Sequence, residues 1–251
     1  MGKRRRSPLD REHVETSMCS RDLKLRIIRG LPFLSSLDHG AINSVSGLFR
    51  EEGFTVGQMI YLAESPATHL YVVAFGKVKL IHQTELGRSI ILDVLSQGEF
   101  FGRFSPSSRD LYPSSARAQT SACTLVMSNR DFQEILIKYP AVSLDLLKAV
   151  SARLETAQDT IRRLSSDPAD RRIASVLLRL ANKFGRQKDS ELLIQLTLSR
   201  EDLADMSGTT TETASRVVSA LQRKGLIQAG RKWVSVVDLE RLSAAAGDTN
   251  L

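Results

Sequence analysis

Cysteine is scarce in this chain. Cys19 and Cys123 are the only two in 251 residues. They lie far apart and in no Cys-x-x-Cys pair, so one chain can assemble neither a disulfide framework nor a tetrathiolate metal site. Buried or free thiols are the expectation. The four histidines, His13, His39, His69 and His82, stand in no metal-ligand spacing, and each reads as a surface or hydrogen-bonded side chain. Long apolar runs are missing too, so no segment is expected to cross a bilayer. The opening Lys3-Arg4-Arg5-Arg6-Ser7-Pro8 is basic without the apolar stretch of a secretory signal, which points to a cytoplasmic protein. There is no glycine-rich phosphate loop, no nucleophile elbow and no His-x-Glu or His-Glu-x-x-His motif. The acidic residues fall mostly in helices at spacings that suit solvated faces. No catalytic or metal-binding residue is assigned, and an enzyme is not expected.

What the chain has in excess is positive charge. Lysine and arginine number 35 against 28 acidic residues, a formal charge of +7, which favours a polyanionic partner. The basic start can serve as an arm that touches phosphates, although a solvated terminus is the commoner role of such a stretch. The length suits one large domain or two modest ones.

The apolar pattern changes twice along the chain. Leu23, Ile27, Ile28 and Leu31 recur at helical spacing before Pro32, which predicts a short introductory helix. From about Phe54 to Met127 short apolar runs alternate with glycine, proline and serine, as in Leu70-Tyr71-Val72-Val73, Val78-Lys79-Leu80-Ile81 and Ile90-Ile91-Leu92; these predict strands. Gly76 and the segment Glu85-Leu86-Gly87-Arg88 fall where turns are needed. After Pro140, Leu147, Val150, Leu154, Ala157, Ile161 and Leu164 step by three and four residues, the seam of a coiled coil over nearly three heptads. The flanking charges leave only a narrow apolar face, so pairing with a second copy is favoured over packing onto the chain's own β domain. Ser165-Ser166-Asp167-Pro168 reads as a hinge, with Asp167 expected to cap the next helix and Pro168 to start it. That helix carries Ile173, Val176, Leu177 and Leu180 and ends near Gly185.

Residues 198–236 read as a winged helix-turn-helix. Ser199 caps a first helix with Asp202 three residues on, and Leu203, Ala204 and Met206 form its inward face. Gly208 makes the turn, Thr209 or Thr210 caps the second helix, and Ala214, Val217, Val218 and Leu221 hold it to the core. Its other face presents Thr211, Glu212, Ser215, Arg216 and Ser219, with Gln222 and Arg223 near the end. Arginine can donate twice to guanine, and glutamate can accept from the cytosine amino group. Ile227 and the run Gly230-Arg231-Lys232-Trp233-Val234 predict a wing whose tip, Arg231 and Lys232, can reach phosphate. Ser199, Arg200, Thr209, Thr210, Arg223, Arg231 and Lys232 are the candidate backbone contacts.

These residues resemble the Crp/Fnr superfamily of bacterial regulators over about residues 25–240. Phe75-Gly76-Lys77-Val78 is similar to the family's turn between strands. Gly98-Glu99-Phe100-Phe101-Gly102 resembles the opening of its effector pocket, and Glu212-Thr213-Ala214-Ser215-Arg216 resembles the recognition helix of the fumarate-nitrate branch. The resemblance implies an α+β chain: a flexible basic tail (1–22), a cyclic-nucleotide-binding-like β-roll or jelly roll (23–140), a dimerisation helix (141–166), a winged helix-turn-helix (167–245) and a C-terminal tail (246–251). It implies a homodimer on a palindromic operator with TTGA-like half-sites, read by Arg216, Glu212, Ser215 and Thr211, and RNA polymerase as a further partner.

The pocket departs from the family pattern. Arg103 stands where a cyclic-nucleotide site carries a glutamate for the ribose, and Tyr112-Pro113-Ser114-Ser115-Ala116 replaces the segment that supplies arginine and serine to the phosphate. A buried phosphate would lack its counter-charge, so cyclic AMP is not expected as effector. Gly98, Glu99, Phe100, Gly102, Arg103, Tyr112, Ser114 and Ser115 remain candidates for lining a site for an unidentified effector. Two cysteines cannot hold a four-cysteine iron-sulfur cluster within one subunit; haem stays open on the histidine count. Two mechanisms are compatible with these residues: effector-gated rotation about residues 167–171, or a dimer competent without a small molecule. The rival reading, a cyclic-nucleotide regulatory subunit without a DNA role, would have no need of residues 198–236.

Overall fold

The computed structural model describes residues 8–9, 21–85, 87–103 and 110–247. His13, Cys19 and most of the basic tail therefore lie outside the described residues, as does Leu86. The chain forms two compact units, one from Glu12–Ala157 and one that joins Met1–Arg11 to Gln158–Leu251.

The first unit begins with α1 (Arg21–Arg29), two residues before the expected start of the β-roll domain. A 3-10 turn (Pro32–Leu34) and α2 (His39–Ser46) follow, and then β1 (Arg50–Phe54), β2 (Met59–Tyr61), β3 (His69–Phe75), β4 (Val78–Gln83), β5 (Ser89–Leu95), β6 (Phe100–Gly102), β7 (Ser115–Ala118) and β8 (Ala122–Ser128). α3 (Asn129–Lys138), capped by Ser128, leads into α4 (Pro140–Ser166). The strands build two four-stranded sheets, ordered β1-β8-β3-β6 and β2-β7-β4-β5. All their pairings are antiparallel. This is the expected β-roll.

Two apolar clusters hold it together. One joins Ile28, Leu31 and Phe33 to Val72, Leu125, Phe132 and Val142, which fastens α1, α3 and the start of α4 to one sheet. The other lies between the sheets and includes Tyr61, Tyr71, Val78, Phe101, Tyr112 and Val126. Burial of such side chains contributes about 1.5–3 kcal/mol each. Cys123 is buried as expected but is disulfide-bonded rather than a free thiol, which corrects the expectation that the cysteines stay free and form no disulfide.

Gly76 makes the β3–β4 turn at φ 79°. A Cβ there would sit 2.2 Å from the Ser121 carbonyl oxygen, so backbone rather than a flexible side chain opposes any substitution. Gly76→Ala is expected to destabilise the β-roll by about 2 kcal/mol, from left-handed strain plus displacement of the β7–β8 turn. Denaturant unfolding checks it, and an unchanged midpoint would contradict it.

α4 contains 27 residues and rises about 40 Å at 1.5 Å per residue. The division between units falls inside it, between Ala157 and Gln158, earlier than the expected hinge. The helix itself stops at Ser166, where the hinge was placed.

The second unit continues with α5 (Ala169–Phe184), β9 (Gly185–Lys188), β10 (Glu191–Ile194), α6 (Arg200–Ser207), α7 (Thr211–Arg223), β11 (Ile227–Gly230), β12 (Trp233–Val236) and α8 (Leu239–Ala246). Pro168, not Asp167, is the N-cap of α5, and its side chain bonds no backbone amide. This corrects the expected cap by one residue. The Asp167 carboxylate instead lies 3.5 Å from the Arg171 guanidinium. The wing is larger than expected: β11 and β12 belong to a four-stranded sheet ordered β11-β12-β10-β9. α5 buries Ile173, Leu177, Leu180 and Phe184 and packs against α6, α7 and α8.

Candidate nucleic-acid interface

The two helices of the motif are set by local chemistry. Ser199 Oγ accepts from Asp202 N at 3.0 Å, and the Asp202 carboxylate accepts from Ser199 N at 2.8 Å. This reciprocal box satisfies two amide donors that a helix start leaves open. Leu203, Ala204 and Met206 are buried on α6, and Gly208 closes it in the left-handed region at φ 62°. A Cβ at Gly208 would lie 2.8 Å from Leu164 Cδ2, so both the turn and its neighbour favour glycine. Thr210, not Thr209, caps α7 by accepting from Thr213 N at 3.2 Å. Ala214, Val217, Val218 and Leu221 form the buried stripe of α7.

The opposite face of α7 turns to solvent. Thr211, Glu212, Arg216 and Ser219 are exposed and Ser215 is half-buried. Glu212 and Arg216 stand four residues apart, a spacing at which a glutamate and an arginine commonly pair. Among the described residues neither makes a salt bridge or a side-chain hydrogen bond, so both charges are available to a partner. Gln222 is committed: its amide donates to the Ala229 carbonyl at 3.1 Å and ties α7 to the wing. Arg223, Arg231 and Lys232 are exposed, and Lys232 takes positive φ at the wing tip. Arg200 is half-buried at the start of α6, and burial lowers its pKa; an arginine so placed remains a cation. Ser199 is half-buried in its capping box, and Thr209 is half-buried in the turn.

Arg172 is a residue that sequence reasoning missed. Its guanidinium donates to the Leu164 carbonyl at 3.1 Å and to the Gly208 carbonyl at 3.3 Å. It thereby ties the end of α4 to the turn of the motif. Arg163 does similar work, donating to the Ala246 carbonyl at 3.0 Å and pairing with Asp159 at 2.6 Å. That contact, with Arg162 beside it, holds the Asp159 carboxyl below its ordinary pKa.

In the β-roll, several of the expected effector residues have local partners among the described residues. Gly98 and Gly102 take positive φ at the ends of the Gly98–Gly102 segment. The Glu99 carboxylate is used locally, accepting from the amide and hydroxyl of Ser96 at 2.7 and 2.8 Å. Phe100 packs edge-on against Phe33, at 5.1 Å between centroids. On its other side Phe100 meets the Arg153 guanidinium, 3.9 Å from the ring centre, and Arg153 also donates to the Phe100 carbonyl at 2.6 Å. Arg103 is exposed and turned toward Asp110, at 3.6 Å, and the Leu111 carbonyl, at 3.4 Å. Ser114 is buried, and Ser115 Oγ accepts from Ala63 N at 2.8 Å.

Tyr112 is turned inward, only 3% exposed. Its ring stacks on Tyr61 at 3.9 Å and 15°, and its hydroxyl bonds to the backbone of His69. Tyr71 stacks on Phe101 at 5.2 Å. Burial, followed by the neighbouring Tyr112, pushes the hydroxyls of Tyr61 and Tyr71 well above the ordinary tyrosine range. His69 contacts Thr68 and Arg50 at the edge of this cluster, and burial, then Arg50, lowers its pKa.

A β-roll followed by a long helix and a winged helix-turn-helix, with an exposed glutamate and arginine on the second helix, is the arrangement of a DNA-binding transcription regulator. Residues 51–139 match the cyclic nucleotide-binding domain model, and residues 171–245 match the Crp-like helix-turn-helix domain model. The chain is 26% identical over 210 residues to the CRP-like cAMP-activated global transcriptional regulator of Mycobacterium tuberculosis, covering 84% of this chain and 94% of that one. It is 26% identical over 200 residues to the fumarate and nitrate reduction regulatory protein of Salmonella typhimurium, covering 80% of each. Among solved structures, a transcriptional regulator of the CRP family from Thermus thermophilus superposes with a TM-score of 0.67 at 26% identity, covering 78% of this chain and 96% of that one. The chain belongs to the Crp/Fnr superfamily of transcription regulators.

Proposed function

We propose that the chain works as a homodimer that binds a palindromic operator with TTGA-like half-sites and does not require cyclic AMP. The solvent face of α7 carries this reading: an arginine and a glutamate four residues apart, both exposed and both unpaired among the described residues, on a helix whose other face is buried. Arg216 would donate to guanine, Glu212 would accept from the complementary strand, and Ser215 and Thr211 would select the outer bases. Arg200, Arg223, Arg231 and Lys232 would set the register through phosphates.

The dimer is supported by α4. Leu147, Val150, Leu154, Ile161 and Leu164 are all exposed along one face, and Leu144 extends the stripe by one turn. A two-fold pair of recognition helices would enter successive major grooves about 34 Å apart. RNA polymerase is the further partner such a regulator meets at a promoter, and the cytoplasm is where it would do so. Among the described residues no helix is long and apolar enough to cross a membrane. Catalysis forms no part of this role.

Independence from cyclic AMP is supported by the β-roll. Glu99 and Ser115 are taken up by backbone amides, Arg103 faces Asp110, and Tyr112 fills the space between the sheets. No clamp of arginine and serine for a phosphate is formed by the described candidates. An iron-sulfur cluster on four cysteines would exceed the two that a subunit has. The test is fluorescence anisotropy of a labelled operator titrated with and without saturating cyclic AMP. The expected change in affinity is less than about twofold, below roughly 0.4 kcal/mol. A tenfold gain with nucleotide would contradict the reading.

A further inference from the structure

Arg172 sits one turn into α5, with its amide bonded to the Pro168 carbonyl at 3.1 Å. Its guanidinium meets two carbonyls at places where helices break. In a continuous helix the Leu164 carbonyl would accept from the amide of residue 168, but that residue is proline and has no N–H to give. The Gly208 carbonyl lies in the turn between α6 and α7, outside both helices, where the chain takes positive φ. Arg172 donates to the first at 3.1 Å and to the second at 3.3 Å. Its Nε is buried without a hydrogen-bond partner among the described residues, so the guanidinium is committed to the junction rather than held out to solvent.

The same stretch of α4 is fastened at further points. The Leu164 side chain lies against Gly208, and Arg163 donates to the Ala246 carbonyl of α8 at 3.0 Å. Only Asp167 and Pro168 separate α4 from α5, and Asp167 pairs with Arg171 across that joint at 3.5 Å. The end of α4 from Gln158 onward belongs to the same compact unit as the winged domain.

We propose that Arg172 is a positioning residue for operator recognition: by tying the end of α4 to the turn before α7, it fixes the recognition helix on the dimer helix and so sets the separation of half-sites that the protein accepts. This inference rests on the operator-binding reading. Ile161 and Leu164 of the α4 seam belong to the tied stretch, so in the homodimer one guanidinium couples the frame that joins the subunits to the helix that reads bases. Residues 167–171 then act as a brace rather than a swivel, which suits a dimer competent without a small molecule. Arginine is required for this work. Its planar fork can span two acceptors, whereas a lysine ammonium is a single point charge on a flexible stem.

Half-site separation is a sensitive readout, because one inserted base pair moves a half-site by about 3.4 Å along the duplex and turns it by about 35°. The full-length wild type, Arg172→Met and Arg172→Lys are compared on the palindrome that the wild type selects and on the same half-sites with one central base pair added or removed. Arg172→Lys keeps the charge and the aliphatic stem, and so keeps the winged domain folded. The wild type is expected to prefer its own spacing by about tenfold or more, and both variants to prefer it by about threefold or less, with base preference inside each half-site retained. In the DNA-free proteins, hydrogen exchange of the Thr209 and Thr213 amides is expected to quicken roughly tenfold in both variants. An undiminished spacing preference in Arg172→Met would overturn the proposal. So would full recovery in Arg172→Lys, which would make Arg172 a charge contact with phosphate. Unchanged exchange in both variants would show that the tie does not hold the turn. If the wild type itself enriches no half-site, the operator reading fails and the spacing role fails with it, while the exchange result still decides the tie.

Discussion

Replacing Leu154 or Ile161 with glutamate is expected to convert the protein to a monomer and to lower operator affinity by at least a hundredfold. Both side chains are well exposed on α4, at 57% and 62%, so within one chain the substitution removes little packing and the fold should survive. In a dimer the same positions become a dry seam. Two carboxylates would face each other there, at a cost of several kcal/mol for charges left without counter-ions. A palindrome read by one subunit at a time loses the effective concentration that the second half-site provides, a factor of about 10²–10⁴. Sedimentation equilibrium and operator titration on the same preparation check the expectation. A monomer that keeps its operator affinity would show that α4 has another role.

The second large effect is expected at Arg216. Its exposure on α7 makes Arg216→Ala nearly neutral for folding. A bidentate arginine–guanine contact carries about 1–3 kcal/mol of discrimination, so two half-sites lose roughly 2–6 kcal/mol per dimer. The loss should be confined to sites with the matching base pair, and substitution of that pair should cost the variant little. Lys232→Ala, at the wing tip, should instead weaken every duplex alike and lower the salt slope by about two per dimer, roughly 0.9 for each of the two subunits' lost phosphate contacts. An equal loss on all sequences at Arg216 would make it a phosphate contact.

How much of the fold and site is legible in the sequence varies with the range of the interaction. The helix-turn-helix is readable because its signals are local: Ser199 and Asp202 cap within one turn, Gly208 supplies positive φ, and the buried stripe of α7 follows the helical period. The long stripe of α4 is readable for the same reason. Asp167 and Pro168 each suit two adjacent cap positions; Pro168 takes the cap, and the Asp167 carboxylate lies beside the Arg171 guanidinium.

Strand β9 goes unseen because Gly185-Arg186-Gln187-Lys188 has no alternation; it is a strand through its pairing with β10, which in turn pairs with β12. α8 does leave a trace, Asp238 before an apolar run and Gly247 after it, which are the cap residues the helix uses. The inward turn of Tyr112 and the reach of Arg172 to two distant carbonyls are tertiary facts with no local signature. Phe100, expected in the effector pocket, likewise contacts the Phe33 ring and the Arg153 guanidinium, partners distant in sequence.

Whether the protein selects an operator by itself is decided by selection from a randomised duplex library, with purified protein, no nucleotide and a stated salt concentration. Enrichment of one palindrome with TTGA-like half-sites about one helical turn apart is expected, unchanged when cyclic AMP is added. Failure to enrich any sequence without nucleotide, followed by a clear palindrome when cyclic AMP is present, would contradict it.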